Sequence, residues 1–395
     1  VGEHSKIEWT THTFNPWIGC QKVAPGCVHC YAEAMAKRTG QAVWGAEGTR
    51  VKTTSKYWFQ PELWNRRAGC FRTFDCSRGD HADCCPQKYR PRVFVASMAD
   101  VFEDWDGPVL DHLGERLSFE RAQSIYDVIG DAIGSRHRAY PNRNGAFLPH
   151  QDFEFTTLSD LRIDLFSLID RCPNLDWLLL TKRPQSIDRL LHATGGGRRD
   201  NLWLGTSISD QQTAEANVMP LLRCAPLANK IFLSIEPLLS PVDLSEIKLP
   251  HGRELDCLRG QITDDALLSV SGAPHFVDWV IVGGESGHGA RPCNLGNVRS
   301  IVRQCEEAET PCFVKQLGGS PYDGDAIAAV PGSRRVFTKE ELREPIPRAA
   351  AAAKLQQCLE ASVVRLKDRK GGDPDEWPPE LRVRQFPKQV TRPAN

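Results

Sequence analysis

Short, nearly continuous apolar runs recur along this chain, each closed by polar residues and followed by helical spacing. Arg92-Val-Phe-Val-Ala-Ser-Met-Ala-Asp carries such a run at Val93–Ala96. Leu175–Pro184, Asn201–Ser207, Lys230–Leu239, Val277–Gly287 and Pro311–Leu317 repeat it. Runs this apolar predict strands buried on both faces. The intervening spacing predicts helices at Leu158–Cys172, opening at Ser159-Asp160, at Ser186–His192, near Gln211–Leu222 and at Asn297–Ala308. Ile7–Thr10 and Thr13–Trp17 are the candidates for a first short strand. The alternation predicts an α/β fold: a complete or partial parallel (β/α) barrel of six to seven units. A doubly wound sheet is the rival, because sequence carries no strand order.

The barrel is expected within residues 1–320, with insertions at about 45–90, 104–157 and 245–275. The second insertion reads as helical over Val109–Ile133 and then as a polar loop around Tyr140–Gly145. Residues 321–395 are expected to form a C-terminal extension packing on the barrel. In it Ala349–Ala353 and Lys354–Leu366 read as an exposed helix.

Composition narrows the class. A chain of 395 residues can bury a full core, and its formal net charge of −1 supplies no global basic field for nucleic acid. Fourteen cysteines are scattered along it and no secretory leader is expected, the usage of a reducing compartment. No run approaches the roughly 18 apolar residues of a membrane span. The expectation is a soluble cytoplasmic protein with no membrane partner.

The polar strand ends are the first candidate site: Ser97 and Asp100; Thr181, Lys182 and Arg183; Thr206 and Ser207; Ser234 and Glu236; Glu285 and Ser286. In parallel barrels the C-terminal ends of the strands line the active site, whereas loops at strand ends are polar anyway. Five such ends in a row favour a site. The second candidate is the loop Asn15–Ala34, with Cys20, Cys27 and Cys30 spaced C-x6-C-x2-C ahead of a helix starting at Tyr31. Three thiolates can hold three irons of a cubane cluster and leave the fourth iron open. The plainer reading makes Cys20 a bystander and Cys27/Cys30 half of a zinc site or a redox pair. Spacing alone leaves both open.

Beyond these features, the motifs Leu180-Thr-Lys-Arg-Pro, Ser234-Ile-Glu-Pro-Leu-Leu and Val282-Gly-Gly-Glu-Ser-Gly stand in that order. With the cysteine loop, they make the chain resemble a phage-associated family bearing a radical S-adenosylmethionine (SAM) type three-cysteine signature. The resemblance covers residues 6–38, 92–103, 158–244 and 277–319, and Gly372–Arg384 resembles that family's C-terminal end. Radical SAM proteins commonly carry C-x3-C-x2-C with an aromatic residue before the last cysteine; here the first gap is longer and His29 takes that place. The resemblance implies a [4Fe-4S] cluster on Cys20, Cys27 and Cys30, with SAM bound at its open iron. It further implies reductive cleavage of SAM to a 5′-deoxyadenosyl radical, with an electron from a flavodoxin- or ferredoxin-type reductase. His29 is expected near the cluster or the adenine, Ser97 and Asp100 at the SAM amino group, Thr206 and Ser207 at its ribose or carboxylate, and Ser234 among the cofactor-binding residues. Lys182 and Arg183 suit that carboxylate or a substrate phosphate. Glu236, Glu285 and Lys182 are the candidate catalytic residues. The reaction class is an isomerase, lyase or transferase.

The expected substrate is a nucleotide or a modified base in phage DNA, from the phage association, the local basic residues Arg66-Arg67, Arg198-Arg199, Arg334-Arg335 and Arg365 to Lys370, and the many tryptophans. A second group, Cys70, Cys76, Cys84 and Cys85 with His81, could take zinc or a second cluster, although its spacing fits no standard zinc pattern. Two rival readings stand beside the enzyme: a zinc-binding, non-catalytic nucleic-acid-binding protein, and a barrel enzyme whose cysteine loop is only structural.

Overall fold

The computed structural model describes residues 3–40, 43–68, 90–105, 107, 109–115, 156–262, 266–267, 269–270, 273–324 and 363–388. Cys70, Cys76, His81, Cys84, Cys85, Arg334-Arg335, the loop 140–145 and Ala349–Ala353 lie outside them.

Seven strands form one sheet: β1 (His12–Phe14), β2 (Arg92–Val95), β3 (Asp176–Thr181), β4 (Leu202–Ile208), β5 (Lys230–Ile235), β6 (Trp279–Gly283) and β7 (Cys312–Gln316). They pair in chain order, β1-β2-β3-β4-β5-β6-β7. Register runs His12 to Val93, Arg92 to Asp176, Trp177 to Leu202, Phe232 to Trp279 and Val280 to Cys312, every one parallel. Sequential order is the topology of a partial (β/α) barrel and excludes a doubly wound sheet, whose order must reverse at a switch point. The expected apolar runs are these strands: Val93, Val95, Trp177, Leu178, Leu204, Phe232, Leu233, Val280 and Val314 are all buried.

The chain divides into two compact units, one within Val1–Thr206 and Pro220–Ile231, the other within Ser207–Met219 and Phe232–Asn395. In the first, α1 (Tyr31–Arg38), α2 (Gln60–Arg67), α3 (Leu158–Arg171) and α4 (Ile187–His192) accompany the strands. Helix α3 buries Leu161, Leu165, Phe166, Leu168 and Ile169 along one stripe. Its cap is Thr157, two positions earlier than the expected Ser159-Asp160 start. The Thr157 hydroxyl accepts from the Asp160 amide (3.3 Å), while the Asp160 carboxylate accepts from the Thr157 amide (2.7 Å). The helix expected from Val109 does not begin there. Val109–Leu110 is a strand beside Arg50–Lys52, which also pairs with Trp17–Ile18, so pairing overrode helical spacing.

In the second unit, α5 (Gln211–Arg223) begins and α6 (Leu295–Glu307) packs Leu295, Val298 and Ile301 inward. The 245–275 insertion forms a small antiparallel sheet from Ile247–Lys248, Glu254–Asp256, Gln261–Ile262 and Ala266–Leu267. Residues 383–385 run antiparallel beside β7. The Val314 amide donates to the Val383 carbonyl, and the Gln385 amide to the Cys312 carbonyl, each at 2.8 Å. The indole of buried Trp279 donates to the Gln385 carbonyl (2.9 Å). Of the expected helix ending at Leu366, the described residues 363–366 are not helical; the Val364 amide donates to the Pro321 carbonyl instead (3.0 Å). Among the described residues no helix is long and apolar enough to cross a membrane.

Candidate functional site

The cysteine loop leaves β1 and is fixed first at Gly19. Gly19 has φ +120°, and its amide donates to the Met98 carbonyl at 3.0 Å. A Cβ there would stand 2.6 Å from the Val43 carbonyl oxygen and 2.8 Å from that of Thr49, so glycine is required by both conformation and space. Cys20 follows, its carbonyl accepting from the Gly45 amide (3.0 Å). Pro25–Cys27 is a 3-10 turn, and Cys30 is the N-cap residue of α1. Lys22 spans this arm, donating to the Val28 carbonyl (3.2 Å) and pairing with Glu33 (2.6 Å). All three thiols are free and half-buried, and His29 is exposed.

Behind Cys20 lies a buried network of two arginines and two carboxylates. Arg183 donates to Asp100 (2.9 Å), to Glu103 (3.4 Å), to the Gln21 carbonyl (2.6 Å) and, through Nη1, to the Cys20 sulfur (3.6 Å). Glu103 accepts from the Gln21 amide (2.9 Å) and takes Arg50 in a fork, at 2.8 and 2.9 Å. Gln21 is therefore gripped on both its N–H and its C=O, in the two peptide units that flank it, by two side chains that also pair with each other. Trp105 lies against the Arg50 guanidinium, 4.4 Å from ring centre. Helix α3 contributes Arg162, which donates to the carbonyls of Val101 (2.9 Å) and Glu103 (3.0 Å) and so holds the turn bearing Glu103. Burial pulls the Arg162 guanidinium down to about 10.

Electrostatics at Cys20 oppose a bare thiolate. Burial first, then Asp100 and Glu103, push its thiol up to about 12 against the pull of Arg183. The protonated sulfur donates to the Gln21 carbonyl (3.4 Å), and a metal would have to displace that proton.

Among the strand-end candidates of the first unit, Asp100, Thr181, Lys182 and Arg183 bond to one another. Asp100 accepts from Thr181 Oγ1 (2.7 Å), the Lys182 amide (3.2 Å), the Phe102 amide (3.0 Å) and Arg183, which fills its lone pairs and makes it an organiser of the site. Ser97 donates to Asn15 (3.1 Å), and its carbonyl accepts from the Tyr31 hydroxyl (2.7 Å). Thr206 is fully buried and donates to the Thr181 carbonyl (2.9 Å), tying β4 to β3. Lys182 is half-exposed.

In the second unit Ser207 and Ser234 are buried. Glu236 lies at the end of β5, where its Oε1 accepts from Lys315 (2.6 Å) and Gln316 (3.1 Å) of β7. β6 runs between those strands and ends in Gly283-Gly284. A Cβ on Gly284 would stand 2.3 Å from the Leu317 carbonyl oxygen, so β6 and β7 close up only because this pair has no side chains. Glu285 is not positioned as an open acid or base: Arg291 takes both of its oxygens (2.6 and 2.9 Å).

Arg50, Glu103, Arg162 and Lys315 were not among the expected site residues. Glu103 and Lys315 do carry a signal, a charged residue inside an apolar segment (Val-Phe-Glu-Asp-Trp and Cys-Phe-Val-Lys-Gln). Part of the basic set expected at nucleic acid pairs within the protein, while Arg365, Lys367, Arg369 and Lys370 are exposed. Arg67 pairs with Glu3, Arg198 with Asp200 and Arg199 with Asp170, the ordinary fate of charge runs.

Among the described residues no three His, Cys, Asp or Glu side chains are arranged to hold a single metal ion. A cubane differs in that each thiolate takes a different iron, and three free thiols on one loop are its donor chemistry. By that chemistry the residues fit the cluster. Neither the comparison with curated proteins nor that with solved structures returns a match. Residues 4–113 and 149–371 match one family, and the chain belongs to it: the family described as protein of unknown function (DUF5131).

Proposed function

We propose that this protein is a radical SAM enzyme whose cluster is held by Cys20, Cys27 and Cys30. The observation that carries the reading is the loop itself: three free, half-buried thiols after the first strand of a parallel sheet, the first anchored against the ends of β2 and β3. When bound, a [4Fe-4S] cluster with SAM would supply a 5′-deoxyadenosyl radical by reductive cleavage of the sulfonium. The chain's own residues do the rest. Glu103 and Arg183 fix Cys20, and Asp100 holds Thr181, Lys182 and Arg183 in register. Lys182 is the cation assigned to the SAM carboxylate or a substrate phosphate. The Glu236–Lys315 pair can hold and move a proton at Glu236 Oε1. The electron comes from a flavodoxin- or ferredoxin-type reductase. The substrate is a nucleotide or a modified base in phage DNA, in an isomerase, lyase or transferase reaction.

Anaerobic reconstitution tests this. The expected protein is brown and carries about four irons per chain. It converts SAM to 5′-deoxyadenosine under reduction, and Cys27→Ala loses both properties. A colourless protein holding zinc would replace the reading with a nucleic-acid-binding module, and one holding no metal would leave the loop structural.

A further inference from the structure

We infer that Arg183 is a positioning residue for Cys20 and, through its N–H donated to the Cys20 sulfur, sets the reduction potential of the cluster. This rests on the cluster reading above and adds to it a residue outside the cysteine motif. The geometry is specific to a guanidinium. One planar fork reaches the Cys20 sulfur (3.6 Å), the Gln21 carbonyl (2.6 Å), Asp100 (2.9 Å) and Glu103 (3.4 Å) at once. Lysine, a single point charge, cannot make these four contacts together. Glu103 closes the circuit by accepting from the Gln21 amide (2.9 Å), so the direction of the N–H toward sulfur is fixed by atoms on both sides. Cys27 and Cys30 stand instead on the 3-10 turn and at the start of α1. Hydrogen bonds to the ligating sulfurs are one of the main determinants of a cluster's potential. A cationic donor draws electron density from the thiolate and favours the more negative, reduced state, so its loss must make the cluster harder to reduce.

The experiment compares wild type, Arg183→Lys and Arg183→Met after anaerobic reconstitution. It reads iron per chain, far-UV circular dichroism and the midpoint potential by EPR-monitored titration, with exchange of the Gln21 amide followed in metal-free protein. The expected result is a more negative midpoint in Arg183→Lys with the fold intact. Arg183→Met should shift it further or lose iron, and the Gln21 amide should exchange at least tenfold faster in both. Should Arg183→Met fail to fold, Arg183→Lys decides alone. Folded variants that bind iron at the wild-type midpoint overturn this inference and leave the cluster standing. A wild-type protein that takes up no iron overturns both.

Discussion

Removing the carboxylate of Glu103 is the sharpest perturbation of the buried network. Arg50 is 0% exposed and Glu103 2%, and the two meet through Nε–Oε2 at 2.8 Å and Nη2–Oε1 at 2.9 Å. In Glu103→Ala, Arg50 Nη1 keeps the carbonyls of Thr49 (3.0 Å) and Val43 (3.3 Å), but Nε loses its acceptor and the charge loses its nearest partner. The Gln21 amide loses its acceptor as well. Breaking a buried pair by deleting one member costs about 3–5 kcal/mol. Taking about 4, and about 2–4 °C per kcal/mol for a unit of this size, the transition of the first unit should fall by roughly 10 °C. Arg50→Met/Glu103→Leu, which removes both charges and refills the volume, should recover most of that loss. Urea unfolding followed by tryptophan fluorescence measures the energies, and amide exchange at Gln21 reports the local release. A Glu103→Ala protein within 1 kcal/mol of wild type, or a double variant no more stable than Glu103→Ala, would refute the assignment of this pair as the loop's anchor.

Three further outcomes are expected. Gly19→Ala, forced to φ +120° against the carbonyls of Val43 and Thr49, should destabilise by about 3 kcal/mol and reduce iron uptake; an unchanged melting curve would contradict the close approach. Thr157→Ala removes one half of the α3 capping box and should cost about 1 kcal/mol in a thermal melt. Burial raises the thiols of Cys172 and Cys293 to about 12 and of Cys224 to about 11, above the ordinary 9.0. These thiols bind their protons more tightly when folded. Their contribution is therefore complete below pH 9 and is lost as pH rises, by about 1.4 kcal/mol per thiol per pH unit until the folded value is reached. Unfolding under reducing, anaerobic conditions between pH 8 and pH 11 should show that decline, and a flat profile would mean these thiols ionise freely in the native state.

The strands were legible because burial on both faces leaves little room for polar letters, as in Leu175–Thr181 and Val277–Gly283. Strand order was not, since pairing is a long-range choice that no local run encodes. Val109–Leu110 misled for the same reason: its partner is Arg50–Val51, more than fifty residues earlier. At the site, the sequence pointed to cysteines and strand-end polar groups by type. It could not tell which of them would spend their hydrogen bonds internally. Glu285 reads like an acid until Arg291 is seen on both its oxygens, and Asp100 like a ligand group until its four donors are counted. Nothing in the sequence marks Arg50, and only the fold places Glu103 against it.

A sheet that does not close on itself leaves a row of main-chain donors and acceptors open to any passing strand. At β7 the segment around Arg384 already occupies that row, with the Arg384 guanidinium lying over Phe313 and Trp377, both about 5.3 Å away. The segment is therefore expected to block edge-to-edge pairing as well as to pack on the strand. A chain cut before residue 383 should fold its strands yet form concentration-dependent aggregates through β7, visible by light scattering, whereas a chain cut after residue 388 should not.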